Sequence, residues 1–234
     1  MIPDAPNMER VSTGPGGLFY GVYPARVTDV VDPDQQGRVK IRLPWSPDAG
    51  DSNYETWARL ATMMAGNDRG TFFIPDVDDE VLVAFEGGNP RRPYVVGALW
   101  NGQDSPPEQM DRAGNNFLKT ILSRRGVRIT LDDTDGATKL RLETPMGQSI
   151  VLSDEDLSIV AQDATGNSIK MAPEGITITA VSQVEIQAST VQVDAGMVTV
   201  NAGFSEFSGV VQCSALITDA VIGTTYTPGV GNIW

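Results

Sequence analysis

The stretch Ile176-Thr-Ile178-Thr179, Val184-Glu-Ile186-Gln187, Val191-Gln-Val193-Asp194, Val198-Thr-Val200-Asn201 decides the fold of this chain. A β-branched apolar residue alternates with a polar one, four times over, at a beat of seven to eight residues. Alternation with period two is the signature of a strand with one buried face. A regular beat of short strands is a repeat architecture, in which each unit buries its apolar face by stacking on its neighbours. Each of these strands offers only two inward residues: Ile176 and Ile178, Val184 and Ile186, Val191 and Val193, Val198 and Val200. One such strand cannot build a core, so most of the core has to come from elsewhere.

Two architectures fit the beat. Three strands of one chain can form each coil of a single-chain β-helix. Alternatively, three chains wind round one axis and each supplies one strand per layer. Two Val or Ile side chains contribute about 3–6 kcal/mol per repeat when fully buried. Ordering costs about 1–2 kcal/mol per residue over the same repeat. The repeat is therefore marginal unless burial is nearly complete. Three-fold intertwining favours complete burial and leaves few free strand edges.

Upstream the composition changes. Phe19, Tyr20, Tyr23, Trp45, Tyr54, Trp57, Phe72, Phe73, Phe85, Tyr94 and Trp100 crowd into one region, whereas Gly126 to Gly223 holds only Phe204 and Phe207. Bulky rings build a compact core; Val, Ile, Leu, Thr and Ser build thin stacked strands. Within the aromatic region short strands are divided by turn clusters. Tyr20–Val31 precedes Asp32-Pro-Asp-Gln-Gln-Gly37, and Arg38-Val-Lys-Ile-Arg-Leu43 sets Val39, Ile41 and Leu43 on one face. Thr56–Met63, Thr71–Ile74, Glu80–Phe85 and Tyr94–Trp100 follow. About five strands with little helix predict a small closed barrel. After it, strands at 127–131, 139–143, 149–152, 157–161 and 168–171 recur every nine to eleven residues. The expected organisation is a flexible arm over 1–17, a barrel over 18–102, a linker over 103–125, a β-helix over 126–223 and a tip over 224–234.

Composition removes several classes of function. The net charge is −13, and residues 126–234 carry 4 basic against 13 acidic side chains. That half is a poor electrostatic partner for nucleic acid. The chain has no histidine, which excludes Ser-His-Asp triads, His-containing zinc sites and imidazole acid–base chemistry. The single cysteine, Cys213, reads as a small buried apolar residue in a strand. No stretch approaches the roughly 18 apolar residues of a membrane span, and the N-terminus lacks the basic and apolar regions of a signal peptide. Synthesis in the cytoplasm is expected.

Acidic runs look at first like ion sites. Aligning Gly136 of Asp132-Asp-Thr-Asp-Gly136 with the invariant glycine of a calcium loop puts Leu131 and Leu142 at ligand positions, so the loop fails. Ser153-Asp-Glu-Asp156 has no glycine at all. Asp76, Asp78, Asp79 and Glu80 read as a charged turn, not a catalytic pair. Gly14-Pro-Gly-Gly17 lacks the Lys-Ser/Thr and the helix of a phosphate loop. No catalytic residue, metal ligand or cofactor is expected.

Six motifs in order carry a resemblance: Gly37-Arg-Val-Lys-Ile-Arg-Leu-Pro-Trp45, Trp57-Ala-Arg-Leu-Ala61, Gly70-Thr-Phe-Phe-Ile-Pro75, Asp79-Glu-Val-Leu-Val-Ala-Phe-Glu86, Asn89-Pro-Arg-Arg-Pro93 and Val95-Val-Gly-Ala-Leu-Trp-Asn-Gly102. From about Tyr20 to Pro107 the chain resembles the OB-fold domain of the phage baseplate protein V, VgrG and central-spike family of contractile injection systems. Lys119-Thr and Ser123-Arg-Arg-Gly126 are similar to the entry of that family's trimeric β-helix. The resemblance implies an all-β chain, an N-terminal OB-fold barrel followed by an intertwined trimeric β-helix. It also implies a non-enzymatic homotrimer on the axis of a phage tail-like particle or secretion apparatus. A hub protein would meet the OB end, a PAAR-type protein would cap the far end, and the target membrane would be touched in passing. No nucleic acid is implied.

Four departures from the family stand out. About 20 residues precede the barrel, so the hub is expected to be another chain. The linker has no room for an inserted lysozyme domain, and a histidine-bound iron at the tip is impossible. Asp78 stands where many members have glycine.

The trimer core is expected at Ile176, Ile178, Val184, Ile186, Val191, Val193, Val198 and Val200. Hub or inter-subunit contact is expected at Arg38, Lys40, Arg42 and Trp45, and tip or cap contact at Tyr226, Ile233 and Trp234. The competing expectation is a single-chain OB domain with a β-solenoid that binds oligonucleotide or glycan.

Overall fold

A computed structural model describes residues 17–46 and 54–225. The chain divides into two units, Met1–Gln183 and Val184–Trp234.

The first unit begins with a closed barrel. Its strands are β1 (Val22–Asp29), β2 (Val39–Leu43), β3 (Tyr54–Leu60), β6 (Glu80–Phe85) and β7 (Pro93–Ala98). A two-stranded ribbon, β4 (Ala65–Gly66) with β5 (Arg69–Gly70), lies between β3 and β6. The barrel order is β1-β2-β3-β7-β6, closed by parallel pairing of β3 with β7. This is the OB-type barrel that the upstream motifs imply.

Alternation builds it. Val39, Ile41 and Leu43 of β2 and Val81, Val83 and Phe85 of β6 point inward, while their neighbours face out. With Phe19, Ala25, Val27, Ala58 and Val95 they form one core. Aromatic residues pack at its edge. Tyr23 stacks on Trp45 at 4.7 Å, and Phe19 meets Phe85 at 5.1 Å and Trp45 at 5.4 Å. The Trp45 indole N–H donates to the Pro24 carbonyl at 2.7 Å, satisfying its one polar atom. Thr71–Ile74 forms no strand, because the chain turns there through the ribbon and into the Asp76–Asp79 turn.

Two turns show how local chemistry fixes the barrel. In the β1–β2 connection the Asp32 carboxylate accepts from the backbone N–H groups of Asp34, Gln36 and Arg38, and from the Arg38 guanidinium at 2.6 Å. The Arg38 side chain first, and these N–H groups with it, hold the Asp32 carboxyl well below the usual carboxylate range.

In the turn before β6, Asp78 has φ +77°, the left-handed region that costs an L-residue with a bulky side chain roughly 1–2 kcal/mol. The Asp78 N–H donates to the Val27 carbonyl at 2.9 Å, so the turn is tied to β1 and cannot relax. The turn places a real backbone demand on this position, which Asp meets better than most residues. Replacing Asp78 by Gly is expected to leave barrel stability unchanged or slightly higher. Asp78→Val is expected to lower it by roughly 1–2 kcal/mol, read from the urea midpoint.

The rest of the first unit is a seven-stranded antiparallel meander. It runs through β8 (Leu118–Leu122), β9 (Arg128–Asp132), β10 (Lys139–Glu143), β11 (Ser149–Ser153), β12 (Ser158–Gln162), β13 (Ser168–Ala172) and β14 (Gly175–Thr179), each paired with the next. Within the expected linker over 103–125, residues 118–122 form strand β8, the edge of this sheet. The preceding segment is also anchored. Glu108 accepts from the Thr120 hydroxyl at 2.8 Å and pairs with Arg128. The acidic runs at 132–136 and 153–156 form the turns of this meander. The Asp132 carboxylate is held by the hydroxyl and N–H of Thr134 at 2.6 and 3.0 Å.

In the second unit, residues 184–225 form neither strand nor helix, and among these described residues no backbone–backbone hydrogen bond is made; Cys213, expected to be buried in a strand, is exposed there in the single chain.

Candidate assembly interface

Each strand of the meander has five residues and alternates, so the sheet has two unlike faces. Register places two rows of seven positions on one face. The first is Ile121, Ile129, Leu142, Ile150, Ala161, Ile169 and Ile178. The second is Lys119, Leu131, Leu140, Leu152, Ile159, Met171 and Ile176. Lys119, at the edge, is the one polar residue in either row, and its ammonium turns to the Asn116 carbonyl and to Asp133. Between these rows, on the other face, run Thr120, Thr130, Arg141, Val151, Val160, Lys170 and Thr177. Ion pairs decorate the sheet's polar positions, as between Lys139 and Glu155 at 2.8 Å, which raises the lysine's affinity for its proton.

The apolar face is uncovered in the single chain. Leu131, Ile150 and Ile169 are among its exposed large hydrophobic residues, and Ile176 and Ile178 are 71% and 60% exposed. A monomeric protein rarely exposes a contiguous apolar patch larger than a few hundred Å². Fully covering a Leu or Ile contributes about 1.5–3 kcal/mol, so a face of this length is a strong drive to associate.

The second unit poses the same problem more sharply. Val184, Ile186, Val191, Val193, Val198 and Val200 are all exposed, Val193 at 67%. Their backbone N–H and C=O groups have no partner within the described chain. An alternating segment that makes no ladder within the chain leaves both its backbone polar groups and its apolar residues without partners there.

The residues expected to form a trimer core thus divide between two settings. Ile176 and Ile178 close the two rows of the meander, and the other six lie in the unpaired segment. Sequence reasoning placed strands at β9 to β13 but assigned their apolar sides to no interface. The signal is present in Lys139-Leu-Arg-Leu-Glu143, which alternates as cleanly as the distal repeat, whereas Ile150-Val-Leu152 is a continuous apolar run whose facing only the register reveals.

The side chains expected to meet a hub are engaged within the barrel. Arg38 binds Asp32 and Asp34, Lys40 pairs with Glu55 at 3.1 Å, and Trp45 packs on Tyr23. Arg42 lies between Arg26 and Glu55 in the sheet register, with its Nε covered and unpartnered. Tyr226, Ile233 and Trp234, expected at the tip, lie outside the described residues.

An OB-type barrel joined to a sheet with one apolar face uncovered defines a protein built for assembly about a shared core. Comparison with known proteins agrees on both parts. Residues 23–100 match the type VI secretion system/phage-baseplate injector OB domain, and residues 139–204 match the phage baseplate V C-terminal trimerisation domain. The second match takes in β10 to β14 and the alternating segment as far as Phe204. The chain belongs to the phage baseplate V/VgrG-like spike family, a family of structural proteins and not of enzymes.

Among curated relatives, the type VI secretion system spike protein VgrG1b of Pseudomonas aeruginosa is 30% identical over 139 residues, covering 56% of this chain and 19% of the relative. VgrG1a of the same organism is 31% identical over 134 residues, covering 54% of this chain and 21% of the relative. VgrG4b is 33% identical over 116 residues, covering 49% and 14%. The chain spans about a fifth or less of the length of these relatives.

Proposed function

We propose that this protein is the central spike of a contractile injection apparatus. It is a homotrimer on the particle axis that joins a baseplate hub at the barrel end and pierces the target envelope with the other. The observation that carries this reading is the apolar face running unbroken across seven strands and continuing in sequence as the unpaired repeat of Val184 to Val200. Both need partners of matching pattern, and two further copies of the same chain supply them. The trimerisation-domain match covers this same region.

In the trimer, Ile176, Ile178, Val184, Ile186, Val191, Val193, Val198 and Val200 line the interior. The chain's role is mechanical: interlocked strands with an apolar interior resist bending and carry the force of contraction to a small area. The outer face of the barrel around Arg38, Lys40, Arg42 and Trp45 serves contact with the hub or a neighbouring subunit. Tyr226, Ile233 and Trp234 serve contact with a PAAR-type cap, and the target membrane is met only during passage.

The single-chain solenoid reading is disfavoured by two observations. The meander is antiparallel throughout, and the described residues beyond it form no coils.

Native mass spectrometry tests the proposal. A particle of three 25.1 kDa chains is expected at micromolar concentration. A stable monomer would overturn it.

A further inference from the structure

The outer face of the barrel holds a cleft of about 280 Å³ along β3 and β7, beside the β1–β2 and β6–β7 connections. Trp57 and Tyr94 supply its aromatic surface, and four arginines line it. Two of them are held by the rings. The Arg38 guanidinium lies 5.7 Å from the centre of the Trp57 ring, and that of Arg59 lies 5.5 Å from the centre of the Tyr94 ring. Such stacking fixes the plane of a guanidinium and leaves its N–H edge free to bind.

The acceptors near the cleft are already engaged. Glu86, its one carboxylate, accepts from the Tyr94 hydroxyl at 2.7 Å and from Arg92 at 3.1 Å. The Tyr94 hydrogen bond first, with the Arg92 charge after it, keeps the Glu86 carboxyl ionised below its ordinary range. Arg38 is tied to Asp32 and Asp34. Among the described residues, Arg59 and Arg91 have no carboxylate within ion-pair distance. Two unpaired guanidiniums thus share a cleft with ring-ordered neighbours, on a chain whose net charge is −13.

We propose that this cleft binds a carboxylate presented by an acidic segment of a partner protein, with Arg59 and Arg91 as the charged donors. A carboxylate offers two coplanar oxygens that match the guanidinium fork. The cleft is smaller than the roughly 300–1,000 Å³ of ordinary ligand pockets, which suits one side chain or chain terminus better than a nucleotide. Nucleic acid is further disfavoured because a phosphate ladder brings dense negative charge against an acidic protein. A single carboxylate interacts mainly with charges within a Debye length of about 8–10 Å. All the residues that line the site belong to one barrel, and the proposal goes beyond the spike reading.

The test uses the full chain and fluorescein-labelled tetraglutamate, with tetraglutamine and an oligothymidylate of equal charge as comparisons. Anisotropy should report saturable tetraglutamate binding that weakens between roughly 0.05 and 0.3 M salt. No binding is expected for tetraglutamine. The R59A/R91A double variant should weaken tetraglutamate binding by at least about tenfold. Arg69→Ala, on the β4–β5 ribbon, should leave it unchanged. Both replaced arginines are exposed, and an unchanged tryptophan emission spectrum will show that the barrel is intact. Equal binding by the double variant, no tetraglutamate binding by the native chain, or tighter binding of the oligothymidylate would each overturn the proposal.

Discussion

Val193→Asp is expected to yield a protein with a folded barrel and no stable trimer. Val193 lies in the third beat of the distal repeat and is exposed in the single chain, so nothing in that chain penalises the change. In the proposed trimer it faces two copies of itself in an apolar interior. Three carboxylates would then be buried in one layer, each at a desolvation cost of several kcal/mol, with mutual repulsion added. The valine burial forfeited by the substitution, about 1.5–3 kcal/mol per chain, adds to this. Native mass should report monomer, while the near-UV signal of the barrel's Trp45 and Trp57 stays as in the parent. Asp194→Ala, one residue on and of opposite facing, should assemble normally. A Val193→Asp trimer that resists heat as well as the parent would remove the central support for an apolar axis.

The second large effect is expected at Leu152→Glu, in the middle of the meander's apolar face. Leu152 stands between Leu140 and Ile159 in the same row, with three strands on either side. If this face is the proximal part of the shared core, each chain loses leucine burial and must desolvate a carboxylate. The concentration for half assembly should rise by at least about a hundredfold, read by analytical ultracentrifugation. Thr177→Glu, on the opposite face of β14, is the matched control and should assemble like the parent. Equal behaviour of the two variants would mean that the rows from Ile121 to Ile178 are not an interface. Leu152→Glu also separates the meander's contribution from that of the distal repeat, which Val193→Asp alone cannot do.

Much of the barrel is legible in the sequence because alternation and burial coincide there. Val39, Ile41 and Leu43 read as one face and are the inward face of β2, and Glu80–Phe85 is read at its observed bounds. Strand β8 is not legible, since Leu118-Lys-Thr-Ile-Leu122 places apolar residues at positions that do not alternate. Only its pairing, Ile121 against Ile129, shows which side is inward. Arg38 is correctly read as outward. Its partners are not, because Asp32 and Asp34 reach it only once the turn has closed.

Periodicity in the distal half tells which side of a strand is apolar but not whose strand lies beside it. A spacing of nine to eleven residues leaves room for a five-residue strand and a reversing turn, so β9 to β13 can pair within the chain. The shorter beat that follows shares the alternation, and yet it makes no ladder within the chain.

That change of spacing gives the assembly a direction in time. The meander is made of neighbouring hairpins, whose contacts are local in sequence and therefore quick to form. It can be complete in each chain before any partner arrives. The distal repeat makes no ladder within the chain, and in the proposed trimer its hydrogen-bonding groups wait for the other two copies. In that trimer, once three meanders have met through their apolar faces, the three tethered segments are held at an effective concentration on the order of millimolar. A slow encounter of three separate segments would then become a zippering reaction that runs along the repeat in chain order, from Val184 towards Val200.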